Sequence, residues 1–260
     1  MNQSMTWEPN RYLSFSGERQ QPALDLMAAI DLDLGQARNI VDLGCGAGGN
    51  AAILRQRFPG AQITGIDSSA EMLAEARQYR DIDWDLADIA AWCPETPVSL
   101  IFSNAALHWL PAHEKLFPRL LSYLEPGGVL AVQMPNNFGA PTHQLIAATA
   151  MDGPWADKLG PLIKRSPVHS PGFYYGLLSP LARSVRLWQT EYIHVLEGEN
   201  PVAEWTRGTA VKPFLDALEA GEKEAFFTAY AERVAKAYPP ESDGRTLLPF
   251  KRMFILAVTD

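Results

Sequence analysis

Four short apolar runs, Asn39–Leu43, Ile63–Ile66, Val98–Ser103 and Val129–Met134, are separated by stretches of helical pattern. Each is apolar almost throughout rather than alternating, as a strand buried on both faces must be. Strands of that kind joined by helices close into a parallel sheet with helices on both sides. The intervening helices are expected over 50–58, stopped by Pro59-Gly60, from Ser68 to about Tyr79, and over Ala112–Leu124. Ser68 and Glu71 stand at capping-box spacing, and Pro118 should kink the third helix. Ile82, Trp84 and Leu86 alternate as a further, half-buried strand.

After Pro135 the pattern changes. A Pro- and Gly-rich stretch surrounds a helix near Thr142–Ala150, Arg183–Val195 alternates as a long strand, Pro201–Tyr238 is mostly helical, and Met253–Val258 is a last apolar strand. The fold class expected is α/β: a doubly wound, mostly parallel seven-stranded sheet with an antiparallel last strand and a helical cap. The expected parts are an N-terminal helical lid (1–34), a ligand-binding core (35–135) and a cap (136–260) that returns the last two strands to the same sheet.

Charge and cysteine content narrow the function. Lys and Arg total 22 against 30 acidic residues, net −8, with no basic stripe to neutralise phosphates, so a nucleic-acid partner is not expected. Two cysteines, Cys45 and Cys93, supply neither a disulfide framework nor a zinc spacing, and no metal is expected. The first residues lack a signal pattern and no apolar run has the length of a membrane span, so a cytoplasmic chain with no membrane partner, a monomer or weak dimer, is expected.

The chemistry begins at "IVDLGCGAGGN", residues 40–50. Gly44 and Gly46 allow a sharp turn and a close approach of backbone to a ligand beyond the strand's carboxyl end. Asp67, 21 residues after Gly46, ends the second strand where a ribose diol would be met. These features alone fit a dinucleotide or a nucleoside. Asp42, just before the glycines, repels a pyrophosphate but attracts an ammonium group. Asp88 in "WDLADIA" lies within reach of an adenine amine, and Asn104 in "IFSNAALHWL" would line the floor. An NAD(P)-dependent oxidoreductase is the rival class. It would require a pyrophosphate-tolerant turn and a catalytic His or Tyr/Lys set, and the sequence presents neither.

This motif set, over about residues 35–135, resembles class I S-adenosylmethionine-dependent methyltransferases. The resemblance implies S-adenosyl-L-methionine as cofactor, its methionine portion held by Asp42, Gly44, Cys45 and Gly46. Asp67 would take the ribose hydroxyls with Ser68 adjacent, Met72 would pack near the adenine, and Asp88 with Ile89 would meet the base. Longer stretches, "PNRYLSFSGERQQPALDL", "ALHWLPAHEKLFPRLLSYLEPGGVLAVQMPNN", "PTHQLI" and "YPPESDGRTLLPFKRMFILAV", are similar to the trans-aconitate 2-methyltransferase family. What that implies is methyl-ester formation on a carboxylate of a small di- or tricarboxylic acid. A malonyl-type thioester is the alternative acceptor. The chain departs from the family's expected pattern at Ala47 and Lys251, where Pro would stand, and at Gln21 and Lys212, where Arg would stand. Lys cannot repeat Arg's bidentate fork on a carboxylate, and Gln21 carries no charge.

Methyl transfer to a carboxylate demands little acid–base help, since the oxygen is already anionic at neutral pH and the task is alignment. No obligatory general base is therefore expected. Arg19 in the N-terminal segment either grips a carboxylate or pairs with Glu18 or Asp25. Trp109 would line the site rather than the core, His108 beside it is a wall residue or a base, with the wall favoured, and Gln133 ends its strand facing the cleft or serves the scaffold. Of Tyr174 and Tyr175, one would face the pocket and the other pack. Arg207 and Lys212 read as a solvated helix face, Cys45 as a backbone donor, and Cys93 has no chemical context.

Overall fold

The computed structural model describes residues 16–31, 38–163 and 166–260. Seven strands, β1 Asn39–Leu43, β2 Gln62–Asp67, β3 Asp83–Leu86, β4 Val98–Asn104, β5 Leu124–Pro135, β6 Ser184–Leu196 and β7 Thr246–Val258, form one sheet in the order β3-β2-β1-β4-β5-β7-β6. The pairs β1–β2, β1–β4, β2–β3 and β4–β5 are parallel, and β7 runs antiparallel to β5. Strand order reverses between β1 and β4, so the crevice beyond the carboxyl ends of these two strands is where an open α/β sheet binds its ligand.

The chain divides into two compact units. One is built chiefly of Asn136–Ser166 and Glu191–Lys251, the other of Gln20–Pro135, Pro167–Thr190 and Arg252–Asp260. One boundary falls after Pro135, while none falls at 35. Within α1 (Ser16–Ala29), Ala23, Leu26 and Met27 are buried, and the Arg57 guanidinium closes the helix's C-terminal end by donating to the carbonyls of Met27 and Ile30. Residues 20–31 thus belong with the sheet. The expected lid's first fifteen residues, and those at 32–34, lie outside the described residues.

In the sheet unit, the Gly48 residue at φ 83° opens α2 (Gly49–Arg57), and α3 (Ala70–Ala76) starts from Ser69, whose hydroxyl accepts from the Met72 amide at 3.2 Å. Of the two serines that could cap this helix, Ser69 does so, because the Asp67 carboxylate accepts the Ser69 amide and folds the chain one residue further before the helix begins. Gly65 on β2 leaves room for the Trp84 indole of β3. A Cβ there would stand 2.3 Å from the ring.

Helix α4 (His113–Leu121) ends three residues before the expected Leu124, which instead opens β5 opposite Val98. The register then shifts between Val98 and Leu100, and Pro126-Gly127-Gly128 occupies that irregularity with Gly127 at φ 77°. A bulge of this kind lets a strand carry proline and glycine. Leu116, Phe117 and Leu120 of α4 pack with α7 (Pro171–Leu178) against Val41, Ile101, Val132 and Met253, an apolar cluster on one face of the sheet.

In the helical unit, α5 (Pro141–Met151), the short α6 (Ala156–Leu159), α8 (Pro201–Arg207), α9 (Lys212–Asp216) and α10 (Ala220–Ala237) enclose a second core around Trp155, Trp205, Phe226 and Tyr230. Helix α10 starts from a full capping box between Glu219 and Glu222. No helix among the described residues is long and apolar enough to cross a membrane.

Candidate functional site

Asp42 is completely buried, and neither of its carboxylate oxygens has a hydrogen-bond partner. Burial pushes its pKa up to about 7, and the neighbouring Asp67 charge adds to the rise. The Ala51 amide, at the start of α2, offsets part of it without reaching hydrogen-bond geometry. An isolated ionised carboxylate is costly in such a place, so the site holds a proton or a cation.

Around Asp42 the glycine turn is internally tied. The amides of Gly44 and Cys45 both donate to the Ile66 carbonyl, at 2.8 and 3.0 Å, and the Gly46 amide donates to the Asp67 carboxylate at 2.9 Å. This corrects the expectation for Cys45: its N–H is spent on β2, and its buried thiol is driven up in pKa by burial and the two aspartates. Gly44, at φ 77°, is demanded by packing, since a Cβ would sit 2.2 Å from that of Ala106. Gly46, at φ 55°, is different: a Cβ there would enter open space, so the surface it leaves is available to a ligand.

Asp67 uses one carboxylate oxygen on Gly46 and the other on Ser69, which fixes its orientation and leaves lone pairs for further donors. Ser68 is exposed and Met72 half-buried. Beyond β3, the Asp88 side chain accepts the Ala90 amide at 2.8 Å in a tight turn, and Ile89 touches the space beside Gly44. Arg119, which the sequence reading overlooked, clamps this turn from α4 by donating to the Ile89 carbonyl at 2.9 Å and to that of Ala90.

Beyond β4, Asn104 keeps a buried, unpartnered Oδ1, and Ala105 adopts φ 53° while its amide reaches the Gln133 carbonyl. The 3-10 turn Leu107–Trp109 follows. His108 has a buried, unpartnered Nδ1, and its pKa is pushed down to about 3, by burial first, then by the Arg252 charge and by His113. It is a neutral imidazole at any ordinary pH. Trp109 stands 64% exposed with its ring 4.5 Å from that of His108. Gln133 is fully buried on β5 with both amide atoms unpartnered.

The two tyrosines separate cleanly. Tyr174 is interior: its hydroxyl bonds His113 Nδ1 at 2.7 Å and accepts the His169 amide at 3.2 Å, so it packs rather than lining a pocket. Because His113 Nε2 also meets the Leu107 carbonyl at 3.0 Å, Nε2 carries the hydrogen and Nδ1 accepts from the tyrosine. That relay holds the turn bearing His108 and Trp109. Tyr175 is 56% exposed. Helix α1 carries Arg19, whose side chain lies outside the described residues. Gln21 donates to Asp25 at 2.7 Å, and Lys212 pairs with Asp216 at 3.0 Å. Arg207 pairs with Glu204 and lies over the Phe227 ring.

Comparison with known proteins decides the family. A methyltransferase-domain model matches residues 40–128. The trans-aconitate 2-methyltransferase of Azoarcus sp. (strain BH72) is 47% identical over 254 residues, 97% of this chain and 99% of that one. The chain belongs to the trans-aconitate 2-methyltransferase family. The namesake enzyme of Methylobacterium radiotolerans is 44% identical over 96% of this chain and 97% of its own. Among solved structures the fold is similar to Bacillus subtilis YcgJ, TM-score 0.57 at 13% identity over 92% of this chain and 98% of that one. It is also similar to a Haemonchus contortus phosphoethanolamine N-methyltransferase 2 at TM-score 0.54 and 14% identity, covering 93% of this chain and 53%, about half, of the other. S-adenosyl-L-methionine is the cofactor of this family, and a buried carboxylate without a partner beside an open glycine surface fits its ammonium-bearing end.

Tyr174→Phe leaves the His113 acceptor and the His169 amide without partners and is expected to cost about 1–3 kcal/mol of stability. Tyr175→Phe should change stability by no more than about 0.5 kcal/mol, as surface changes do. Urea unfolding of the two variants checks the contrast, and equal stabilities would contradict the relay.

Proposed function

We propose that this chain transfers the methyl group of S-adenosyl-L-methionine to a carboxylate of trans-aconitate or a closely similar small polycarboxylic acid, forming a methyl ester. The observation that carries the reading is the 47% identity to a trans-aconitate 2-methyltransferase over nearly the whole of both chains. A thioester acceptor and a nicotinamide-dependent oxidation are not favoured by it.

The residue roles extend that reading. Asp42 receives the cofactor's ammonium group, which relieves the cost of its buried charge, and the Gly44–Gly46 turn lies against the methionine portion. Asp67 accepts the ribose hydroxyls with the lone pairs left over from Gly46 and Ser69. Met72 and Ile89 provide apolar contact for the adenine, and Asp88, held in its turn, meets the exocyclic amine. Asn104 lines the floor at the carboxyl end of β4. The cofactor brings an electrophilic sulfonium methyl to this site. Trp109 offers an aromatic face to positive charge, and Gln133, His108, Tyr175 and Arg19 remain the candidates for the acid.

What the protein must do for the reaction is align. The acceptor carboxylate is ionised well below neutrality, so no proton has to be removed. His108, neutral down to about pH 3, contributes a wall and a hydrogen-bonding atom and not a base with a pKa near neutrality. Two unpaired cysteines fit a reducing, cytoplasmic setting. The net charge of −8 favours a small acid held by local cations over a polyanionic partner, with the enzyme acting as a monomer or weak dimer.

Incubation with methyl-labelled S-adenosylmethionine and a panel of small acids should label trans-aconitate, or a close analogue, as a monomethyl ester. At saturating cofactor, kcat should be flat between about pH 6 and 9, because no titrating group is needed in that window. No labelled ester from any free acid would overturn the reading.

Asp42 gives a second test, with a definite sign. In the cofactor-free enzyme its pKa is raised to about 7, so below that pH the carboxyl must lose a proton before it can pair with an ammonium. Affinity for S-adenosylhomocysteine is therefore full above about pH 8 and falls roughly tenfold by pH 6, with one proton released on binding at the lower pH. Calorimetry in two buffers of different ionisation enthalpy measures both quantities. Asp42→Asn should bind more weakly and without this pH dependence, and a wild-type affinity flat across the range would contradict the pairing.

A further inference from the structure

The polar side chains at the carboxyl ends of the strands change character along the sheet. Strand register sets Asp42 beside Gly65 and Phe102, and Asn104 beside Gln133. Residues opposite one another share a face, and residues two apart along a strand return to it. Asp67 on β2, Asp42 on β1, Asn104 on β4 and Gln133 on β5 therefore stand on one face, and Val41, Ile101 and Val132 on the other, inside the apolar cluster. Asp67, Asn104 and Gln133 each lie one pleat beyond the level of Asp42, at the end where sheets of this kind bind ligands.

The chemistry of the row follows strand order. Two carboxylates come first, then the Asn104 amide with a buried, unpartnered Oδ1, then the Gln133 amide, fully buried with both Nε2 and Oε1 unpartnered. A buried amide seldom lacks partners unless a ligand supplies them. The register neighbours of Gln133 are Asn104 and Phe254, so no charge stands directly opposite it. Acid groups and an amide oxygen suit a positive cofactor over β2, β1 and β4. The amide N–H group that follows on β5 suits an anion.

The reaction sets which anion. Methyl transfer forms an O–CH3 bond and breaks the S–CH3 bond, whose electron pair stays on sulfur. The carboxylate and sulfonium charges disappear together, and no proton moves. A cation on the reacting carboxylate would hold the charged ground state more strongly than the transition state, where that charge is already fading, and would slow the step. A neutral amide N–H binds carboxylate oxygen and ester carbonyl alike, so it orients the acceptor without that penalty. Gln133 stands two strands from Asp42, about 10 Å at the usual strand spacing. The amine-to-methyl portion of the cofactor and a near-attack contact of about 3–3.5 Å fill such a span. We propose that the Gln133 Nε2 group donates to the carboxylate that is methylated and aims its other oxygen at the sulfonium methyl. The proposal rests on the carboxyl-methylating reading above and makes Gln133 a catalytic residue of that reaction.

The test compares wild type, Gln133→Met and Gln133→Asn on trans-aconitate at saturating cofactor. It reads kcat and KM, the isomer of monomethyl ester formed, calorimetric Kd for S-adenosylhomocysteine, and the urea midpoint without ligands. Gln133→Met keeps the volume and removes the donor, so kcat/KM should fall about 10- to 100-fold, the scale of a hydrogen bond to a charged group. The wild type should make one ester isomer and this variant a mixture, because the acid's other carboxylates then compete for the methyl. Its urea midpoint should be no lower than that of wild type, since the amide it replaces has no partner in the free protein. Gln133→Asn retains an amide but withdraws it, so it should lose a similar factor, as misplacing an aligned reactant does, and show the same mixture. It carries the test if Gln133→Met does not fold. S-adenosylhomocysteine Kd should be unchanged in both.

Wild-type kcat/KM in the folded variants overturns the proposal and leaves the methyl-transfer reading standing. A lowered kcat/KM with a single unchanged isomer also overturns it, giving Gln133 to a carboxylate that does not react. Weakened S-adenosylhomocysteine binding with unchanged acid kinetics overturns it in favour of the cofactor, and a lowered urea midpoint in Gln133→Met does so in favour of a scaffold role. A wild type that methylates no free acid removes the reading itself, and the role of Gln133 with it.

Discussion

A carboxylate buried at the end of β1 with nothing to bond it is the constraint on which the rest of the site depends. Asp42 lies in the middle of a parallel sheet, next to a second carboxylate on β2, and neither backbone nor side chain satisfies it. Such a group is tolerable as a protonated acid or as the partner of a cation. That requirement sets the sign of whatever fills the crevice. It also explains why the glycine turn, though shaped like a phosphate loop, is unsuited to one: its first amides are consumed by Ile66 and Asp67.

The same end of the sheet gathers acidic side chains, Asp67 on β2 and Asp42 on β1, which suits the proposed cofactor with its sulfonium and ammonium. In the proposed reaction alignment is the catalytic contribution, and we assign the neutral His108 and the Trp109 turn, held through His113 and Tyr174, to that alignment and not to proton transfer.

Much of this was legible in the chain itself, and the failures have physical causes. Asp42, Gly44, Gly46 and Asp67 announce themselves because an uninterrupted apolar run can end in an acid and four glycines only where backbone must turn tightly beyond a buried strand. The amide of Cys45 was misassigned because sequence does not tell which way a turn's N–H groups point. Ser68 and Ser69 are equivalent cap residues until the Asp67 carboxylate is seen to claim the Ser69 amide. The start of β5 was hidden by Pro126-Gly127-Gly128, which ends most strands but here fills a bulge.

The most direct measurement is a crystal structure of the ternary complex with S-adenosylhomocysteine and trans-aconitate. The account predicts the cofactor's amine against the Asp42 carboxylate and one substrate carboxylate directed at the sulfur. An amine placed elsewhere with Asp42 still unpartnered, or no substrate carboxylate near the sulfur, would contradict it.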